Sequence, residues 1–166
     1  MNEQMQRNIE RMLAMAKPLV DAKRKSEMAK RQGKFVSKNE KLCAQLLRVV
    51  AQRNYPELEI IESDINILPG WEVDISIKGP YAWKMVVEWD GAYHRKPIYG
   101  EAKLKMRQAQ DRTKNKALYE GKYVLVRVKD DGSFNPEFVQ SKVEKIKEII
   151  DDLIESNVCA YGKIEI

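Results

Sequence analysis

The sequence predicts an α/β domain, a mixed sheet flanked by helices, with a helical arm at its N-terminus. Three observations predict it. Residues 71–78 alternate apolar and polar side chains, the period of a half-buried strand. Residues 123–128 form an apolar run broken only by Arg127, the pattern of a strand covered on both faces. Segments with apolar residues at helical spacing stand before, between and after these strands.

Taken in order, residues 1 to about 32 read as one helix, with Met5, Ile9, Met12, Leu13, Ala16, Leu19 and Val20 at helical spacing. Pro18 kinks or divides it. Its second part carries Lys23, Arg24, Lys25, Lys30 and Arg31, and Gly33 and Lys34 close it. The cations suit either a solvated packing arm or an arm that contacts phosphates. Ser37-Lys38-Asn39-Glu40 fits a capping box and opens a second helix with Cys43, Leu46, Leu47 and Val50 on one stripe. Asn54-Tyr55-Pro56 ends it.

Leu58 to Glu62 reads as a strand, and Leu68-Pro69-Gly70 as a turn. In 71–78, Trp71, Val73, Ile75 and Ile77 share one face, and Glu72, Asp74 and Ser76 the other. Gly79-Pro80 turns the chain into a return strand over 83–90, an antiparallel hairpin. A third helix spans 101–119 and stops at Gly121. The crossover through it places the strands before and after it parallel. Asp130-Asp131-Gly132 turns the chain into a last amphipathic helix over 136–156, with Phe138, Val143, Ile146, Ile150, Leu153 and Ile154 inward. The organisation expected is therefore an arm over 1–36, a core over 37–130, and a C-terminal helix and tail over 131–166 packing on that core.

The formal net charge of +5 favours an anionic partner, nucleic acid before a membrane surface. No run of about 18 apolar residues exists, so no membrane span is expected. No signal peptide is expected either, because the N-terminus lacks a continuous apolar stretch. Two cysteines, Cys43 and Cys159, are too few for a zinc site with one histidine unless carboxylates fill in. Together these features point to an intracellular, reducing compartment.

The chemistry concentrates around the return strand. Glu88 and Asp90 are two apart and share a face. If Lys78 pairs near Lys84, Asp74 lies opposite Glu88. Three carboxylates so close repel unless a cation neutralises them, and oxygen ligands of this kind suit Mg²⁺ or Mn²⁺. The plainer reading is three exposed acids on an open sheet face. Gly91 ends the strand, and the only histidine, His94, follows it. A histidine this near the acids is a candidate general acid or base. Leu104, Asp111 and Leu118 are seven apart on one helix face, which places Asp111 on the stripe expected to face the core. A carboxylate there needs a partner, and His94 is a candidate. The plainer reading is a solvent-facing acid next to Arg112 or Lys114. Glu40 has a complete structural job as a capping residue, yet shares a helix face with Cys43 and Leu47. Trp89 alternates with the acids and belongs in the core. Tyr93 suits either stacking on a base or a plain place at the rim of the core.

These residues carry a resemblance. Glu40, Asp74, the stretch Val86-Val87-Glu88-Trp89-Asp90-Gly91-Ala92-Tyr93-His94, Asp111, and Lys116 through Arg127 resemble the very-short-patch-repair (Vsr-like) endonucleases. The nearest pattern is that of the EDxHD homing endonucleases, a branch of the PD-(D/E)xK nucleases. The resemblance covers roughly residues 37–128. It implies a restriction-endonuclease-like core and an Mg²⁺-dependent (or Mn²⁺-dependent) endodeoxyribonuclease that nicks or cuts DNA. It places the EDxHD letters on Glu40, Asp74, Asp90, His94 and Asp111. The lysine usual in PD-(D/E)xK enzymes would fall on Asp90, and the EDxHD branch lacks it too. The zinc site of the mismatch-repair members is not repeated, so mismatch specificity is not implied.

On this resemblance Asp74, Glu88 and Asp90 would hold the metal, His94 would transfer a proton, and Asp111 would orient it. Glu40 would position a water or the imidazole. Lys23, Arg24, Lys25, Lys30, Arg31, Lys34, Tyr93, Arg95 and Lys96 would contact DNA. The expected setting is the cytoplasm of a bacterial or phage-infected cell, with a homing or phage-encoded role. A homo-oligomer is compatible with the sequence but not indicated by it. The alternative is a DNA-binding or assembly protein that keeps the fold without cutting.

Overall fold

A computed structural model of the chain describes residues 37–156 and 161–166, the side chains of Tyr81 and Tyr93 excepted. The arm expected over 1–36, with Lys23, Arg24, Lys25, Lys30, Arg31 and Lys34, lies outside the described residues, as do Cys159 and the side chain of Tyr93.

Helix α1 (Lys38–Asn54) begins where the sequence places it. Ser37 is extended, and its Oγ accepts the Glu40 N–H at 2.9 Å, satisfying one donor of the first turn. The helix ends at Tyr55, because a residue before proline is pushed out of the helical region. Strand β1 (Glu59–Leu68) is longer than the expected strand over 58–62. It runs antiparallel to β2 (Trp71–Lys78), with a register shift between Asp64 and Leu68. The extra length is polar: buried Asp64 accepts the Ser76 hydroxyl at 2.7 Å and the Asn66 N–H at 2.8 Å. Such partners let a carboxylate sit inside a sheet.

Strand β3 (Lys84–Asp90) returns antiparallel, pairing Lys78 with Lys84 and Ile75 with Val87. A 3₁₀ turn, Pro80–Ala82, joins the two strands. Gly79 lies against the Trp83 ring, where a Cβ would come within 2.0 Å of ring carbon. A second 3₁₀ turn, Ala92–His94, leads to α2 (Glu101–Glu120). The crossover delivers β4 (Val124–Lys129) parallel to β3, from Met85↔Val124 to Asp90↔Lys129. Helix α3 (Pro136–Ser156) follows, and β5 (Gly162–Glu165) adds a parallel edge to β4, a strand the sequence did not announce.

The result is a five-stranded mixed sheet in the order β1-β2-β3-β4-β5, flanked by helices. One face packs Ile77, Met85, Val87 and Val126 against Cys43 and Leu47 of α1 and Val139, Val143, Ile146 and Ile150 of α3. The other packs Val73, Val86 and Leu125 against Leu118 of α2. Strand β3 is buried from Met85 to Asp90 because helices cover both of its faces. Residues 37–166 form one compact unit, so the 131–166 segment supplies part of the same core as 37–130. No helix among the described residues is long and apolar enough to cross a membrane.

Candidate active site

The site lies at the C-terminal end of β3, where α2 closes over the sheet. Trp89 points into the α1/α3 face, as its alternation requires. Its Nε1–H donates to Asp130 Oδ2 at 2.6 Å, and its ring meets Phe138 edge-on at 6.2 Å. Glu88 and Asp90 point to the opposite face, toward α2. Asp74 lies opposite Glu88, in the register expected. There the backbone ladder stops and side chains take over: the Trp89 N–H donates to Asp74 Oδ2 at 2.8 Å, and the Asp74 N–H to Glu88 Oε1 at 3.4 Å.

Helix α2 meets this edge with a polar stripe. Asp111, Lys114, Asn115 and Leu118 are spaced three, four and seven residues apart, so they share one face. Lys114 Nζ lies 2.6 Å from both Glu88 oxygens and 2.6 Å from the Glu72 carbonyl oxygen. Lysine and glutamate are both buried. Burial pushes the Glu88 carboxyl up to about 7; the Asp74 charge adds to this, and Lys114 and Arg127 pull the other way. Arg127 of β4 forks onto Asp90, with Nε 2.6 Å from Oδ2 and Nη2 2.5 Å from Oδ1. Its Nη1 donates to Asn115 Oδ1 at 2.7 Å, and Nη2 lies 3.5 Å from Asp111 Oδ1. Burial opposes the charged guanidinium, but Asp90, Asp111 and Glu88 outweigh it and raise its pKa.

His94 arrives on the second 3₁₀ turn. Its Nδ1 lies 2.9 Å from Asp111 Oδ2 and 3.8 Å from Asp90 Oδ1. A carboxylate accepts, so Nδ1 carries the proton and the basic lone pair falls on Nε2. Burial alone would raise the Asp111 carboxyl; the hydrogen bond and charge of His94, with the charge of Arg127, hold it below the usual range. The ring is only 17% exposed, so the pair is shielded from bulk water without being sealed from it.

Two of the expected roles fall on side chains that already have partners within the protein. Asp74, Glu88 and Asp90 do share an edge, but they do not converge as metal ligands. Among the described residues no group of three histidine, cysteine, aspartate or glutamate side chains is placed to hold a metal ion. The reason is electrostatic: Lys114 and Arg127 already neutralise Glu88 and Asp90, the role the sequence reading gave to a divalent cation. A divalent ion at this edge would have to share Glu88 and Asp90 with Lys114 and Arg127 or displace them. Arg95 is also placed differently from its expected phosphate contact. Its guanidinium bonds the Asp90 carbonyl oxygen at 3.3 Å and the Asp130 carbonyl oxygen at 2.7 Å, tying the ends of β3 and β4.

Glu40 belongs to the first turn of α1, where its N–H is capped. Burial pushes the Cys43 thiol up to about 12, and the Glu40 charge adds to the effect. Lys96 is exposed beside the site. It lines a shallow cleft of about 80 Å³ with Tyr99, Lys103, Met106 and Arg107. A second cleft, about 230 Å³ and lined by residues including Arg48, Tyr55, Leu58 and Ile60, has neither histidine nor carboxylate in its lining. Lys114, Asn115 and Arg127 are the site residues the sequence reading left out. Two signals could have found them: the i, i+3, i+4 spacing from Asp111, and the single charge inside the β4 run.

No known protein family, no curated protein and no solved structure matches the chain significantly.

Proposed function

We propose that this chain is a DNA nuclease that hydrolyses phosphodiester bonds, with His94 as the proton-transfer group and Asp111 as the carboxylate that orients it. The observation that carries the reading is the 2.9 Å contact from His94 Nδ1 to Asp111 at the end of β3. A histidine held in one tautomer by a half-buried carboxylate is poised for general acid–base work. The resemblance to the EDxHD endonucleases names the same two positions. The net charge of +5 suits a polyanionic substrate.

In the reaction, water attacks the phosphorus and one P–O ester bond breaks. Nε2 of His94 takes the proton from the attacking water or supplies one to the departing oxygen. Asp111 stabilises the imidazolium that forms when the ring is the base. The resemblance implies a divalent ion; Glu88 and Asp90 are already paired with Lys114 and Arg127, so this reading rests the proton transfer on His94. Metal dependence is therefore an outcome to be measured.

A second reading is favoured by one observation. Glu88 and Asp90 are fully paired with Lys114 and Arg127, as in a structural ion-pair network. On that reading the chain binds DNA or assembles with a partner and does not cut. Incubation of the full chain with supercoiled plasmid, with and without Mg²⁺ or Mn²⁺, separates the two. The nuclease reading expects nicked or linear product that His94→Ala eliminates; intact plasmid under every condition refutes it.

A further inference from the structure

We infer that Arg127 is a positioning residue that assigns Asp111, and not Asp90, to His94. The inference rests on the proposed function only for its effect on cleavage; its structural part stands without it. Two carboxylates compete for one ring nitrogen. Asp90 Oδ1 is 3.8 Å from His94 Nδ1 and Asp111 Oδ2 is 2.9 Å away. Asp90 ends β3 and Asp111 lies within α2, so each acid is placed by a regular element.

Arg127 decides between them by geometry. Its fork uses both oxygens of Asp90, through Nε and Nη2, the planar bidentate arrangement that a guanidinium makes best. Asp90 is thereby held toward β4. The same Nη2 lies 3.5 Å from Asp111 Oδ1, which steadies Asp111 with its other oxygen, Oδ2, on the imidazole. Asn115 holds the guanidinium plane from α2 through Nη1. Arg127 is itself only 5% exposed, so its position is set by packing as well as by charge. One buried cation therefore withholds one acid from the histidine and presents the other. Lysine, with a single ammonium, cannot do both.

The test uses the full chain and its one histidine, whose ring nitrogens are the only imidazole signals in a ¹⁵N spectrum. At a pH where the ring is neutral, the wild type should show the Nδ1–H tautomer. Asp111→Ala should lose it, with the population shifting toward the Nε2–H form, and cleavage should fall roughly a hundredfold or more. The double variant Asp111→Ala/Arg127→Met frees Asp90 to reach the ring. It should recover the Nδ1–H tautomer and part of the lost cleavage. Asp111→Ala/Arg127→Lys should fall between the two, and it carries the test if the methionine variant does not fold. A single Asp111→Ala variant that keeps the wild-type tautomer overturns the inference, because Asp90 would then serve His94 despite Arg127. So does a folded double variant that stays like Asp111→Ala. A wild type with the Nδ1–H tautomer and no cleavage would refute the nuclease reading instead, leaving the tautomer arms to decide on Arg127.

Discussion

Replacing Lys114 by methionine should destabilise the protein far more at alkaline than at acid pH. Lys114 is 7% exposed and spends its ammonium on both Glu88 oxygens and the Glu72 carbonyl oxygen. Methionine keeps most of the side-chain volume but leaves Glu88, 6% exposed, without its cation. Breaking a buried pair from one side costs about 3–5 kcal/mol. The Glu72 carbonyl oxygen loses the Lys114 ammonium as well, which adds about 1 kcal/mol. The pH dependence follows from Glu88. Its folded pKa is raised from 4.5 to about 7 even with Lys114 present, and removing Lys114 raises it further. The folded state therefore binds the proton more tightly than the unfolded state. The resulting stabilisation is complete below the unfolded value of 4.5 and is lost as pH rises through the folded value. In the wild type that swing is worth about 3 kcal/mol. In Lys114→Met, Glu88 is protonated when folded at about pH 5, so the loss should shrink there to about 1–2 kcal/mol. Urea unfolding of both proteins at about pH 5 and about pH 8 measures this directly. A loss below about 1 kcal/mol at both pH values would refute the buried-pair argument. Glu88→Gln in the Lys114→Met background should remove most of the pH dependence.

Other consequences follow from the same geometry. Gly79→Ala places a methyl within 2.0 Å of the Trp83 ring, which is buried in the main core, so the hairpin must shift. It should cost about 1–3 kcal/mol, read as a lower thermal midpoint with an unchanged far-ultraviolet spectrum. If the protein binds DNA, Lys96→Ala should lower the slope of log affinity against log salt by about one. Arg95→Ala should leave that slope unchanged and lower stability instead, because the Arg95 guanidinium bridges the strand ends at Asp90 and Asp130. The opposite pattern would return Arg95 to the phosphate-contact role the sequence suggested.

Much of the fold was legible because its patterns are local. The alternation over 71–78 and the Gly79-Pro80 turn led to a register that pairs Lys78 with Lys84. The crossover rule led to β3 and β4 being parallel. The seven-residue spacing of Leu104, Asp111 and Leu118 led to the face of α2 that meets His94. What stayed hidden was non-local. Strand β5 is four residues that pair only after α3 has brought them back to β4, too short to show a period. The polar half of β1 reads as loop because its buried Asp64 is stabilised by Ser76, on another strand. The cations that face the acids were hidden for the same reason. Spacing tells which carboxylates share a face, not which cations arrive from elsewhere. Lys114 comes from a helix and Arg127 from a parallel neighbour, and between them they take the charges that looked available for a metal.

The most direct test of the central claim is a plasmid-nicking rate for wild type and His94→Ala, each shown to be folded, with and without Mg²⁺ or Mn²⁺. The account predicts cleavage by the wild type and a loss of roughly 10²–10⁴-fold in the variant, with DNA affinity largely kept. Full activity in folded His94→Ala would show that the histidine held by Asp111 is not the group that moves the proton.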